Sequence, residues 1–241
     1  MKIQLLKTLP LLAFLWVCAI TNSQAANAPW VGESFKGATC NGKGHNFGPF
    51  DYLTRASRMH ELRLVEGAHF PPMVSSLTKG KRGLLHDDID YTLRAWPNHH
   101  RALDAISRYK LLFPRKPKPT SPVECYFQRA INFSPKDATT RMLYGNYLKK
   151  TKHIKMAGEQ YKIAVELSPN NPIIRYNYGL FLFGQKKYNL AQQQAIIAYS
   201  AKFPLNGLKN KLKRVKLWPP KEALNPIKAP ITTAPETVKN K

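Results

Sequence analysis

Residues 138–171 read ATTRMLYGNYLKKTKHIKMAGEQYKIAVELSPNN, and residues 172–204 read PIIRYNYGLFLFGQKKYNLAQQQAIIAYSAKFP. Laid one over the other, Tyr144-Gly145 returns as Tyr178-Gly179, Leu148 as Leu182, Ala157 as Ala191 and Ala164 as Ala198, each pair 34 positions apart. One step further back, Phe127, Ala130 and Pro135 precede Tyr161, Ala164 and Pro169 by the same 34. Self-similarity at a fixed period of this size marks units that stack, because a single unit cannot bury its own apolar face. The period and the helical spacing of the apolar residues together predict an all-α chain built from helical hairpins.

Working outward, helices are expected at about 123–133, 139–150, 154–167, 173–184 and 188–201, with Ser168-Pro169-Asn170-Asn171-Pro172 breaking one unit from the next. Upstream, His99 to Phe113 carries Leu103 and Ile106 at helical spacing, and Asp87-Asp88-Ile89-Asp90 opens a helix that Pro97-Asn98 ends. Acids in its first turn suit the helix dipole. Between the two regions, Pro114, Pro117, Pro119 and Pro122 make residues 114–122 a stiff insert, and the spacing of Pro97 and Pro135 is 38 rather than 34. Residues 27–83 read as an irregular, glycine-rich lead-in followed by short helices, and residues 84–204 as the repeat array. Residues 205–218 form a terminal cap with Leu208, Leu212 and Val215 on one face and lysines on the other. The Pro-, Thr- and Lys-rich residues 219–241 have too few large apolar side chains to fold.

The residues at 138–171 and 172–204 resemble the tetratricopeptide repeat family: the small Gly of the first helix, the two Ala of the second and, in the first unit, the terminal Pro. About three units are expected, covering a little over half of the chain that remains after the first 26 residues. Close crossing of paired helices would set Gly145 or Gly179 against Ala157 or Ala191. The resemblance implies a concave groove, lined by the first helix of each unit, that receives a peptide or extended protein segment. It would present Arg101, Asp104 and Arg108, then Met142, Asn146 and Lys149, then Ile173, Tyr176, Asn177 and Leu180. Asn146 and Asn177 match asparagines of the carboxylate-clamp subfamily, whereas Met142 stands where a clamp has Lys.

Residues 1–26 have the form of a secretory signal: Lys2 and Lys7, an apolar run from Leu11 to Ile20, and Ser23-Gln24-Ala25 before Ala26. A periplasmic or secreted protein is expected, with no transmembrane segment once the signal is removed. Cys40 and Cys125 are then the only thiols, and in an oxidising compartment they are expected to pair; two free thiols are the alternative. Closure of the 85-residue loop between them is worth about 4 to 5 kcal/mol in the chain-entropy model.

The chain holds 38 Lys and Arg against 14 Asp and Glu; without the two lysines of the signal the net charge is +22 (36 minus 14). Such an excess favours anionic partners. Nucleic acid is set aside because export and the absence of an RNA-recognition signature argue against it. An envelope-associated binder of anionic polymer or lipopolysaccharide, acting through the basic C-terminal region, is the alternative to a groove that binds protein. The chemistry-bearing clusters are weaker. His86, Asp87, Asp88 and Asp90, with His99 and His100 beyond, carry metal-ligand residue types without a zinc spacing, and they fit helix starts better. Gly42, Gly44, His45 and Gly48 lack the Gly-Lys-Ser/Thr ending of a phosphate loop, and no Gly-x-Ser-x-Gly elbow occurs. A non-enzymatic protein with no cofactor and no metal is the resulting expectation, with a metal-dependent hydrolase centred on His86 and Asp90 as the minor alternative.

Overall fold

A computed structural model describes residues 27–44, 47–115 and 118–224; the expected signal, His45 and Asn46, and the tail from 225 lie outside the described residues. Within them the protein is all-helical, with a lone bridge between Glu33 and Thr39 as its β-pairing. A 3-10 helix at Tyr52–Arg58 leads into α1 (Met59–His69), α2 (Pro72–Ser75), α3 (Leu85–Ala95) and α4 (His100–Leu112). There follow α5 (Val123–Phe133), α6 (Ala138–Lys150), α7 (Ile154–Leu167), α8 (Pro172–Gly184), α9 (Tyr188–Ser200) and α10 (Gly207–Arg214). No helix among the described residues is long and apolar enough to cross a membrane.

The period seen in the sequence reappears in the backbone. Helices α6 and α8 both run 13 residues and start 34 apart, as do the starts of α7 and α9. Their caps repeat as well: the Asp137 side chain accepts from the Thr140 amide and Asn171 from the Ile173 and Ile174 amides, satisfying N–H groups that a helix start leaves unpaired. Thr151–His153 and Gln185–Lys187 turn the chain sharply enough to fold α7 back on α6 and α9 back on α8. Successive helices then stack, α4 on α6 and α6 on α8, and α10 closes the end against α8 and α9.

Apolar periodicity becomes one continuous core. Leu103, Ile106, Phe127, Ala130, Leu148, Ala157, Tyr161, Ala164, Ala191 and Ala198 are fully shielded from solvent. The close approaches differ between the two pairs. A Cβ on Gly145 would stand 3.1 Å from the Tyr161 ring, so an aromatic face, not Ala157, fills that crossing. At Gly179 the added atom would lie 3.5 Å from the Ala191 carbonyl oxygen but only 2.5 Å from Leu208, so this glycine also makes room for α10. Leu208 and Leu212 are buried there as expected, while Val215 falls just past the helix end. Ordered structure also passes the expected boundary at 219: Pro219 is buried and Lys221–Leu224 form a 3-10 turn against α9.

The N-terminal segment is fastened onto this array. The Sγ atoms of Cys40 and Cys125 lie 2.00 Å apart, the disulfide expected from the cysteine count, tying the lead-in to α5. Around it the Glu33 amide donates to Gln128 Oε1 at 3.1 Å and the Phe35 amide to Glu124 at 3.0 Å. Buried Arg129 donates to the carbonyls of Ala28, Leu93 and Arg94. Burial pushes the Arg129 guanidinium down to about 10, which leaves it charged at neutral pH.

Candidate functional site

Arg101, Asp104 and Arg108 are three and four residues apart on α4 and therefore share one face. With Ser75 at the end of α2, His100, and Thr139 and Leu143 of α6, they line a cleft of about 350 Å³. Its walls are held by ion pairs and hydrogen bonds. Asp104 accepts from Arg108 Nε at 2.7 Å, and Arg108 donates a second bond to the Ser75 carbonyl at 2.8 Å. Arg101 is half-exposed, lies over the Phe70 ring at 5.5 Å and stands 3.5 Å from Glu66.

His100 is fixed from behind. Its Nε2 donates to the buried carboxylate of Asp137 at 2.8 Å, which also accepts from Asn98 Nδ2, Thr140 Oγ1 and the Thr140 amide. Burial alone would raise the Asp137 carboxyl, but the His100 bond and charge, with the Thr140 and Asn98 donors, outweigh it and hold the group below the usual carboxylate range. Asn98 passes the network on to Asp51, whose other oxygen accepts from Ser134. One amide thus joins the start of the 3-10 helix to the start of α6. Nothing in the spacing of Asp51, Asn98, Ser134 and Asp137 announces this network.

The remaining groove residues divide. Ile173 is half-exposed, and Leu180 is half-buried against the core. Asn146 accepts from the Tyr161 hydroxyl at 2.5 Å through Oδ1, and Asn177 donates to the Ile173 carbonyl of its own helix at 2.8 Å. Lys149 is half-buried; burial first, then the charges of Lys150 and Lys211, hold its ammonium below the usual lysine value. Met142 and Tyr176, expected in the groove, are core residues instead. Tyr176 is covered by Phe203, ring centroids 4.6 Å apart, in the segment that leads from α9 to α10. Met142 lies inside the continuous core of α6, which is flanked by α4 on one side and α8 on the other. On α6 the groove face is carried by Thr139 and Leu143.

The metal-type residues are spent on separate partners. Asp90 pairs with Arg94 at 2.9 Å and accepts from the Tyr126 hydroxyl at 2.5 Å, and that burial and charge raise the Tyr126 phenol well above its usual value. Asp88, rather than capping its own helix, accepts from His69 and from the amides of Lys81 and Arg82, shaping the loop before α3. His86 faces Tyr109 and Asp87. Among the described residues no three such side chains converge on one point. In the cleft, Ser75 Oγ donates to the Pro72 carbonyl and lies 3.4 Å from Arg101. What the arrangement offers chemically is a cleft with cations, a carboxylate and hydroxyls beside the Leu143 side chain. No protein-family model matches the chain, and no curated protein matches it.

Proposed function

We propose that the protein is an exported, non-enzymatic scaffold of the tetratricopeptide-repeat kind, whose groove along α4, α6 and α8 binds an extended segment of another protein. The cleft between α2, α4 and α6 carries this reading, because it gathers Arg101, Asp104 and Arg108 beside Thr139 and Leu143 in a concave, mixed polar and apolar surface. Pockets that bind by shape combine apolar lining with a few fixed polar groups, and this cleft has both. The Cys40–Cys125 bridge supports export, since such bonds persist where thiols are oxidised.

Immobilised full-length protein should retain at least one envelope protein from a cell-envelope extract. A Thr139→Arg/Leu143→Arg variant, which fills the cleft from α6, should retain about tenfold less of it, a loss of about 1.4 kcal/mol. Lys162→Ala, on the exposed face of α7, should behave as the wild type. Equal retention by all three forms would overturn the reading.

A further inference from the structure

Every ion pair among the described residues joins side chains between Arg58 and Asp137, and none uses a lysine. From residue 167 to residue 221 the chain carries ten Lys and Arg and no Asp or Glu. The groove therefore changes character along its length: at α4 its cations are paired, and toward α10 they are not. Lys149 and Phe183 are 34 apart on α6 and α8, at equivalent positions of helices that themselves repeat, so they lie on the same face of the stacked helices. Lys211 of α10 completes the set, its Nζ lying 5.5 Å from the centre of the Phe183 ring.

We propose that this basic end of the helical array, built from Lys149, Phe183 and Lys211, takes the carboxylates of an acidic peptide segment that also carries apolar side chains. The inference rests on the scaffold reading and names its partner's chemistry. Like charges gathered on one face repel one another, and a bound anion relieves that repulsion. Burial first, and then the charges of Lys150 and Lys211, lower the Lys149 ammonium, which places Lys211 close enough to Lys149 for the two to repel. The terminal stretches carry little negative charge: residues 225–241 hold Lys228, Lys239 and Lys241 against Glu236 alone, and residues 1–26 hold no acid. A second copy, equally basic, is repelled.

A peptide fits better than a lipid surface. Leu208 and Leu212, the apolar face of α10, are fully buried, so the helix has no free face to sink into a bilayer. Phe183 lies beneath Lys211, and a layer of phosphates would leave this apolar ring uncompensated, whereas a segment mixing acidic and apolar side chains would cover both.

The test is a titration of the full-length protein with a short synthetic peptide in which Glu alternates with Leu, against the same peptide with Gln for Glu and against phosphatidylglycerol vesicles. Saturable binding of the Glu peptide is expected, weakened about tenfold by Lys211→Glu and absent for the Gln peptide. Lys211 is exposed, so its substitution leaves folding intact, which an unchanged melting curve checks. Absence of saturable binding, equal binding of the Gln peptide, indifference to Lys211→Glu, or binding of vesicles in place of the peptide would each overturn the proposal. Should Lys211→Glu leave binding unchanged while the cleft-filling variant still loses its captured protein, the acidic chemistry fails and the scaffold reading stands; should capture also be unaffected, both fail.

Discussion

His99 shows how one side chain can set both a helix start and a pH response. Its Nδ1 accepts from the Ala102 amide at 3.1 Å, capping α4, which obliges the proton to sit on Nε2, and Nε2 donates to Glu66 at 3.0 Å. The ring is fully buried between Tyr52 and Phe70. Burial lowers the imidazole below its ordinary value, against the opposing pull of Glu66, and a second proton would have to displace the cap. In the unfolded chain the group titrates near its usual value of about 6.5, so below that pH the unfolded state takes up a proton that the folded state refuses. The contribution of His99 is therefore full above about pH 6.5 and declines as pH falls toward the folded pKa. His99→Asn, which keeps a capping oxygen but cannot titrate, should cost about 2 kcal/mol at neutral pH. That cost should shrink toward pH 5. Denaturant unfolding of the two proteins at both pH values measures it, and a cost constant with pH would contradict the account.

At the scale of the element, the turns inside the repeated hairpins carry a strain that the sequence conceals. Lys152 and Lys186, again 34 apart, both sit in the left-handed region at φ 65° and 59°. An L-residue with a Cβ pays about 1–2 kcal/mol there, and glycine is the usual occupant of such a helix end. Lys152→Gly and Lys186→Gly should each raise unfolding free energy by about 0.5 kcal/mol, the relief being partly offset by the greater freedom of glycine in the unfolded chain. Lys155→Gly, inside α7, should lower it by about 1 kcal/mol. Denaturant unfolding that ranked Lys152→Gly with Lys155→Gly would refute the turn assignment. Helix bounds and the disulfide were legible because each rests on local chemistry or on cysteine count, whereas the Asp137 and Asn171 caps emerged only from the structure. Met142 and Tyr176 were not legible either, since their burial depends on neighbouring helices and on the Phe203 segment folding back, contacts that no spacing within α6 or α8 encodes. Arg129 was equally hidden: its partners lie 101 residues upstream at Ala28 and 36 upstream at Leu93.

Across the whole molecule, charge and structure are sorted along the chain. The N-terminal half uses its acids internally, binding the 3-10 helix, α1, α3, α4 and α6 together through Asp51, Glu66, Asp88, Asp90 and Asp137. From residue 167 to residue 221 the chain has cations without acids. The composition made the excess charge plain, but only the folded chain brings Lys211 over Phe183 and near Lys149 and pairs acids of the N-terminal half with side chains of other helices. The Cys40–Cys125 bridge fastens the N-terminal lead-in to the stacked helices that carry this gradient. The most direct measurement is photo-crosslinking in intact cells with a light-activated residue placed at Leu143 in the groove or at Lys162 on the opposite helix of the pair. A discrete protein adduct from position 143 and none from 162 is the result predicted; adducts from both positions alike, or from 162 alone, would contradict a groove that holds a protein segment.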